Sequence, residues 1–209
     1  MGIWDDLADL RRATADLLEG LTPEQWQVRT LCPAWDVHAM AAHLTVPCTF
    51  TTREMVGTFV RARGNVDRAA LAMVERRVAQ RPDELVAVLR DRAEVRKAPP
   101  VVGAMGPYTD ALIHLQDVVV PLGLDDDVPP ERWRPSLDFL VSTKSRVGFR
   151  PAALPDVRLE ATDLDWSHGS GRVVAAPAAA LGLAITRRTA RLDELGGPGA
   201  ETLRGWARA

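Results

Sequence analysis

The sequence contains few cysteines, no long apolar run and no leader-like start. Cys32 and Cys48 are the only cysteines among 209 residues, too few for a disulfide-stapled scaffold. No stretch reaches the roughly 18 to 20 apolar residues that a membrane helix needs, so no membrane partner is expected. The N-terminus begins with acidic residues rather than a basic segment followed by an apolar one. We therefore predict no signal peptide and a cytoplasmic location.

An excess of either charge is also missing. The chain has 26 basic and 28 acidic residues and a net charge of -2, which gives no reason to expect a nucleic-acid partner. Hydrophobic residues make up 46% and charged residues 26%, as in ordinary globular proteins. A chain of this length can bury a sizeable core by itself. The composition leaves open whether it acts as a monomer or a homodimer.

Apolar periodicity predicts a mainly helical N-terminal region. Residues 3–20 repeat apolar side chains every three or four positions, which is typical of an amphipathic helix. A second helix is predicted from Pro33 to about Val46, stopped by Pro47, and another from Pro107 to about Val120. From residue 151 onward the pattern partly alternates around glycine-rich turns, which favours short strands. We predict a helical domain at 1–150 and a small α+β domain at 151–209.

The helix opened by Pro107 carries a narrow polar stripe. Asp110, His114 and Asp117 fall within about 60° of one another at 100° per residue, while the rest of the helix is apolar nearly all round. Such a helix is normally buried. Buried carboxylates and imidazoles then need a counter-charge, a hydrogen-bond network or a metal. An acid and a histidine one turn apart can face one ion, as in metal sites inside helical bundles.

A third ligand would have to come from another helix, and His43 is the best candidate because it lies mid-helix among small apolar residues. Two histidines and one carboxylate suit zinc or another first-row divalent metal with an open coordination position. Asp117 would orient His114 through its other ring nitrogen. From the residues alone a second interpretation is open, in which 110–117 form a solvated face and His43 is an ordinary core histidine.

Several segments, taken in order, resemble the mycothiol-dependent maleylpyruvate isomerase family, which belongs to the DinB-like metal-binding bundles. The N-terminal ones are Leu21–Trp26, Thr30–Val37 and Ala42–Leu44. A later one, His114–Gly123, is similar to the stretch that follows the family's Glu-x-x-x-His ligand pair. Residues 161–171, 192–195 and 197–199 look like the small domain often attached to it. The resemblance implies a DinB-like four-helix bundle followed by a small α+β domain.

By position, the resemblance implies metal ligation by His43, Asp110 and His114, with the usual glutamate replaced by the shorter Asp110. It also implies mycothiol as a thiol cosubstrate. The metal would activate this thiol for transfer to, or isomerisation of, a small electrophilic molecule. No residue can be assigned as a general acid or base. Two alternatives are a metal-dependent hydrolase and a non-catalytic metal-binding or regulatory bundle.

Other polar and aromatic residues have ordinary structural interpretations. His38 lies about 140° from His43 around a helix, so we expect it outside the site, and His168 is expected in a turn. Cys32 could be reactive near a helix start, but we favour a packing role. The same choice, a pocket wall or a packing anchor, applies to three tryptophans, and we favour packing: Trp26, Trp35 and Trp166.

Overall fold

The computed structural model describes residues 2–150 and 152–209. Met1 and Pro151, where the two predicted domains begin, lie outside the described residues. The described chain forms two compact units, Met1–Asp125 and Asp126–Ala209. The first unit is helical and the second combines helices with a small sheet. The prediction of a mainly helical protein with a four-helix bundle and a small α+β region is confirmed. Among the described helices, none combines the length and apolarity that a membrane crossing requires.

The described part of the first unit contains six α-helices, and four of them build its core. Helix α1 packs on α5 and α6, and α2 packs on the same two helices. The two remaining helices, α3 and α4, connect α2 to α5, and α4 also packs on α2. The bounds are α1 Ile3–Glu19, α2 Val37–Thr49, α3 Thr52–Arg61, α4 Val66–Glu75, α5 Pro82–Asp91 and α6 Met105–Leu122.

Local chemistry sets the ends of α2 differently from the prediction. Residues before Asp36 form a turn, in which the Trp35 amide donates to the Cys32 carbonyl at 3.0 Å. Asp36 then caps the helix by accepting from the Ala39 amide at 2.8 Å, as an N-cap aspartate should. The predicted stop at Pro47 is wrong, because the helix continues to Thr49. Pro47 removes one amide from the last turn, and the Phe50 amide still reaches the Val46 carbonyl at 2.9 Å.

Helix α6 is buried along most of its length, as its apolar composition predicts. It begins at Met105, two residues before the predicted start, and ends at Leu122; Gly123 follows it with a positive φ of 64°, the left-handed conformation common after helices. Because α6 contacts both α1 and α2, its polar stripe faces other helices of the bundle rather than solvent. This placement puts the titratable side chains of the stripe, Asp110, His114 and Asp117, inside the first unit.

The second unit packs helices against a three-stranded sheet. Its elements are α7 Trp133–Val141, β1 Val157–Ala161, β2 Ser167–His168, β3 Arg172–Ala176, α8 Ala178–Ile185 and α9 Ala200–Arg208. The strand order is β2-β1-β3, with β1 antiparallel to β2 and parallel to β3. Helix α8 packs on α7 and β1. Residues 126–150, which the sequence analysis placed in the first domain, therefore belong to the compact unit that contains the sheet.

Candidate metal centre

Side chains from α2 and α6 converge at one point in the first unit. His43, Asp110 and His114 each offer a ligand atom, and these atoms lie within 4.8 Å of one another. Each oxygen of Asp110 faces a different imidazole: Oδ2 lies 3.3 Å from His43 Nε2, and Oδ1 lies 3.3 Å from His114 Nε2. The two imidazole rings are 4.7 Å apart and nearly perpendicular. The three residues predicted as ligands are thus neighbours.

Asp117 contacts the second ring nitrogen of His114, Nδ1. Its Oδ2 lies 2.8 Å from His114 Nδ1, and its side chain is completely buried. When the His114 ring is neutral, the buried carboxylate accepts a hydrogen bond from the proton on Nδ1. The lone pair then lies on Nε2, which faces Asp110. The Asp117 carbonyl also accepts from the Leu31 amide at 3.1 Å. Asp117 therefore connects α6 to the segment that precedes α2.

The electrostatics of the metal-free cluster follow from these contacts. Burial alone lowers the pKa of His114, but the carboxylates of Asp110 and Asp117 outweigh it and raise that pKa to about 9. Burial alone would raise the pKa of Asp110, but the two imidazoles outweigh it and hold that pKa well below its usual range. Without a metal ion, the protonated His114 ring provides positive charge beside the two carboxylates.

His43 provides the clearest test of whether a cation fits. Both of its ring nitrogens are buried, and neither has a hydrogen-bond partner among the described residues. The contact of its Nε2 with Asp110 lies at 3.3 Å but outside hydrogen-bond geometry. A buried imidazole without partners is costly. A cation coordinated by Nε2 would satisfy that nitrogen, and two imidazoles with one carboxylate form a donor set that zinc accepts. The residues therefore fit a divalent metal.

The family model for the mycothiol maleylpyruvate isomerase N-terminal domain matches residues 7–119. This range covers more than half of the 209 residues and includes all three candidate ligands. The chain belongs to this family.

Two solved structures share the fold of this family member. The mycothiol-dependent maleylpyruvate isomerase aligns with a TM-score of 0.61 and 13% identity, covering 96% of this chain and 94% of the other. A histidine-to-alanine mutant of that isomerase aligns with a TM-score of 0.59 at the same identity and coverage. At this identity the likeness establishes the fold alone. A comparison with curated proteins finds no match.

Two histidines of this maleylpyruvate isomerase family member lie apart from the cluster. His38 Nε2 donates to the Gln80 carbonyl at 2.9 Å, so its ring serves a structural contact on α2. His168 lies in β2 of the second unit and is exposed. Neither cysteine belongs to the three-residue cluster; Cys48 is buried, and burial raises the pKa of its thiol.

Two further residues lie near the candidate ligands: the sequence favoured only a packing role for Trp35 and did not single out Arg11. Trp35 stacks on His43, with ring centroids 4.6 Å apart and planes inclined by 28°. Arg11 of α1 is buried, and its Nη1 donates to the Ala93 and Val95 carbonyls, each at 2.8 Å. It lines a small cavity that Asp110 also borders. The available signals were an arginine on the apolar stripe of α1 and a tryptophan directly before α2.

Proposed function

We propose that the protein binds one divalent metal ion, zinc, through His43, Asp110 and His114, and uses it to activate a low-molecular-weight thiol. In keeping with the family to which the chain belongs, the thiol is mycothiol. The reaction is thiol transfer to, or thiol-assisted isomerisation of, a small electrophilic molecule. One observation carries the proposal: three donor atoms from two helices lie within 4.8 Å of one another, and neither ring nitrogen of His43 has a hydrogen-bond partner among the described residues.

The donor set explains why such a site would suit thiol chemistry. Three protein donors leave a coordination position open on a tetrahedral metal. A divalent cation stabilises the thiolate form of a thiol near neutral pH, and a thiolate is the nucleophile that attacks an electrophilic carbon. A divalent cation with one carboxylate and two neutral imidazoles as ligands has a net charge of about +1 in its coordination sphere, which favours an anionic sulfur in the open position.

The chain's own residues have distinct tasks in this proposal. Asp117 accepts from His114 Nδ1 and so keeps the Nε2 lone pair directed toward the site. Asp110 places one oxygen beside each imidazole and supplies the negative charge that offsets the cation. All three donors are on helices of the bundle, so their positions are set by the packed core.

The metal part of the proposal is tested by elemental analysis. We expect near-stoichiometric zinc in the purified protein. His114→Ala should lose most of its zinc, because only two of the three donors remain. His168→Ala is the matched control, because it removes an exposed imidazole from β2 and should leave the metal content unchanged. Wild-type protein that takes up no zinc or cobalt would refute the site.

The thiol part needs a separate measurement. In cobalt-loaded protein, mycothiol should produce a thiolate-to-cobalt charge-transfer absorption, whereas S-methyl mycothiol, which has no ionisable thiol, should not. A metal-loaded protein that shows no such absorption would exclude thiol activation. Turnover without thiol would then indicate the hydrolase, and co-purification of a protein partner without turnover would indicate the regulatory bundle.

A further inference from the structure

A single indole contacts both candidate imidazole ligands. Trp35 stacks on the His43 ring at 4.6 Å and presents an edge contact to the His114 ring, with centroids 6.0 Å apart and planes inclined by 62°. Trp35 is only 7% exposed. The two imidazoles come from different helices, α2 and α6, so the indole spans the point at which these helices meet.

The segment before α2 fixes the Trp35 backbone. The Trp35 carbonyl accepts from the Thr30 amide at 3.1 Å and from the Thr30 hydroxyl at 2.9 Å, while the Trp35 amide donates to the Cys32 carbonyl at 3.0 Å. The Leu31 amide donates to the Asp117 carbonyl on α6 at 3.1 Å. Because hydrogen bonds hold the segment at several points, the indole has a defined position relative to both ligand helices.

The two histidines differ in what orients their rings. His114 has a buried carboxylate on Nδ1, which is the usual way a metal-binding imidazole is oriented. His43 has no hydrogen bond to either nitrogen within the described ranges. A stacked aromatic face is then the contact that restricts rotation of its ring. An imidazole also becomes more positive when it coordinates a cation, and the negative face of an indole attracts positive charge.

We propose that Trp35 is a positioning residue of the metal centre: it orients His43 by stacking, in the role that Asp117 fills for His114 by a hydrogen bond. The stacking favours the metal-bound state over the metal-free state, since coordination increases the charge over the indole. The inference rests on the metal-binding part of the proposed function and not on the thiol or the substrate.

The structure offers a matched control. Trp26 is also 7% exposed, belongs to the same core cluster as Trp35, and makes an edge contact with His38 at 6.0 Å. His38 is held by a backbone carbonyl and is not part of the candidate site. Substitutions at Trp26 therefore measure how removing a packed indole affects stability and zinc binding when the neighbouring histidine lies outside the candidate site.

The test compares Trp35→Phe and Trp35→Leu with Trp26→Phe and Trp26→Leu. Phe keeps an aromatic face, whereas Leu fills space without one. Zinc affinity is measured by chelator competition, the cobalt ligand-field spectrum reports donor geometry, and melting of the metal-free protein reports packing. We expect Trp35→Leu to weaken zinc binding by about 10-fold or more, as for other residues that orient a ligand, and to alter the cobalt spectrum. Trp35→Phe should retain most of the affinity, and both Trp26 variants should retain all of it.

Three outcomes would overturn the inference in different ways. If wild-type protein binds zinc and Trp35→Leu binds it equally well with an unchanged cobalt spectrum, Trp35 is a packing residue and the metal site stands. Equal loss of affinity in the Phe and Leu variants would also overturn it, because the aromatic face would then be irrelevant. If wild-type protein binds no metal, the site fails, and the role of Trp35 fails with it.

Discussion

Helix α2 carries two histidines that look alike in sequence and differ in structure. Each lies beside a tryptophan, His38 beside Trp26 and His43 beside Trp35. His38 Nε2 donates to the Gln80 carbonyl at 2.9 Å, whereas neither nitrogen of His43 has a hydrogen-bond partner among the described residues. A neighbouring aromatic ring is therefore not what distinguishes a candidate ligand from a core histidine.

The two histidines differ in whether their ring nitrogens have hydrogen-bond partners. A buried polar group normally finds a partner, and the backbone carbonyl of Gln80 satisfies that requirement for His38. His43 instead has a free imidazole facing a carboxylate and a second imidazole. The comparison teaches that an unsatisfied buried nitrogen beside other donors is a better indicator of a cation site than its local sequence.

The largest expected effect comes from replacing each of the two α2 histidines in turn. His43→Ala should weaken zinc binding by more than about 100-fold, above the range for residues that only orient a ligand, because it removes one of three donors. His38→Ala should leave zinc affinity unchanged while lowering the melting temperature through loss of the Gln80 contact. Chelator competition and thermal melting of both variants provide the measurements. Equal zinc affinity in the two variants would contradict our assignment of His43.

Asp117→Asn extends the comparison to the other ligand helix. The amide preserves the shape of the buried carboxylate but removes its charge, so His114 loses the partner that holds its tautomer and increases its basicity. We expect zinc affinity to fall by about 10- to 100-fold, measured by chelator competition. Asp36→Asn is the control: it keeps an N-cap residue on α2, since aspartate and asparagine cap almost equally well. A larger loss in Asp36→Asn than in Asp117→Asn would count against this role for Asp117.

A pH titration of the metal-free protein compares His114 with His38. The folded pKa of His114 is about 9, above its ordinary 6.5, so protonation of this ring stabilises the metal-free fold. That stabilisation is fully present below pH 6.5 and is lost as the pH rises through about 9. We expect the melting temperature in EDTA to fall over this window in wild type and in His38→Ala. It should fall less in His114→Gln. A decline of the same size in all three would show that other groups cause it.

Local geometry explains which parts of the site the sequence could predict. Asp110, His114 and Asp117 share one helix, so their spacing alone places them on one face, and the structure has His114 in contact with both acids. His43 was chosen because it lies mid-helix among small apolar residues, and the family resemblance supported that choice, since periodicity alone cannot say which face of α2 meets α6. The confirmed part of the fold, helices with a small terminal sheet, follows from apolar periodicity in the same local way.

Tertiary context explains what was missed. The stacking of Trp35 on His43 depends on a turn held by Thr30 and by a bond to α6, which no local pattern encodes. Pro47 was predicted to stop α2, but a proline in the final turn leaves only one carbonyl without its amide donor, and packing keeps the helix intact. Residues 126–150 were assigned to the helical first domain, but they lie in the second compact unit, where α7 packs on α8.

The smallest expected effect concerns the donor that the two histidines share. Asp110 is shorter than the family's usual glutamate, yet each of its oxygens already lies 3.3 Å from an imidazole Nε2. An extra methylene between packed helices usually costs about 1 to 3 kcal/mol, and the small cavity that Asp110 borders places the cost near the lower end. We therefore expect Asp110→Glu to weaken zinc binding by less than about tenfold, since 1.36 kcal/mol corresponds to a tenfold change. Asp110→Asn, which keeps the length and removes the charge, should weaken it more. If Asp110→Glu instead bound zinc much more tightly than wild type in chelator competition, the short carboxylate would be the weak donor of this site, and the close contacts of Asp110 with both imidazoles would describe only the metal-free state.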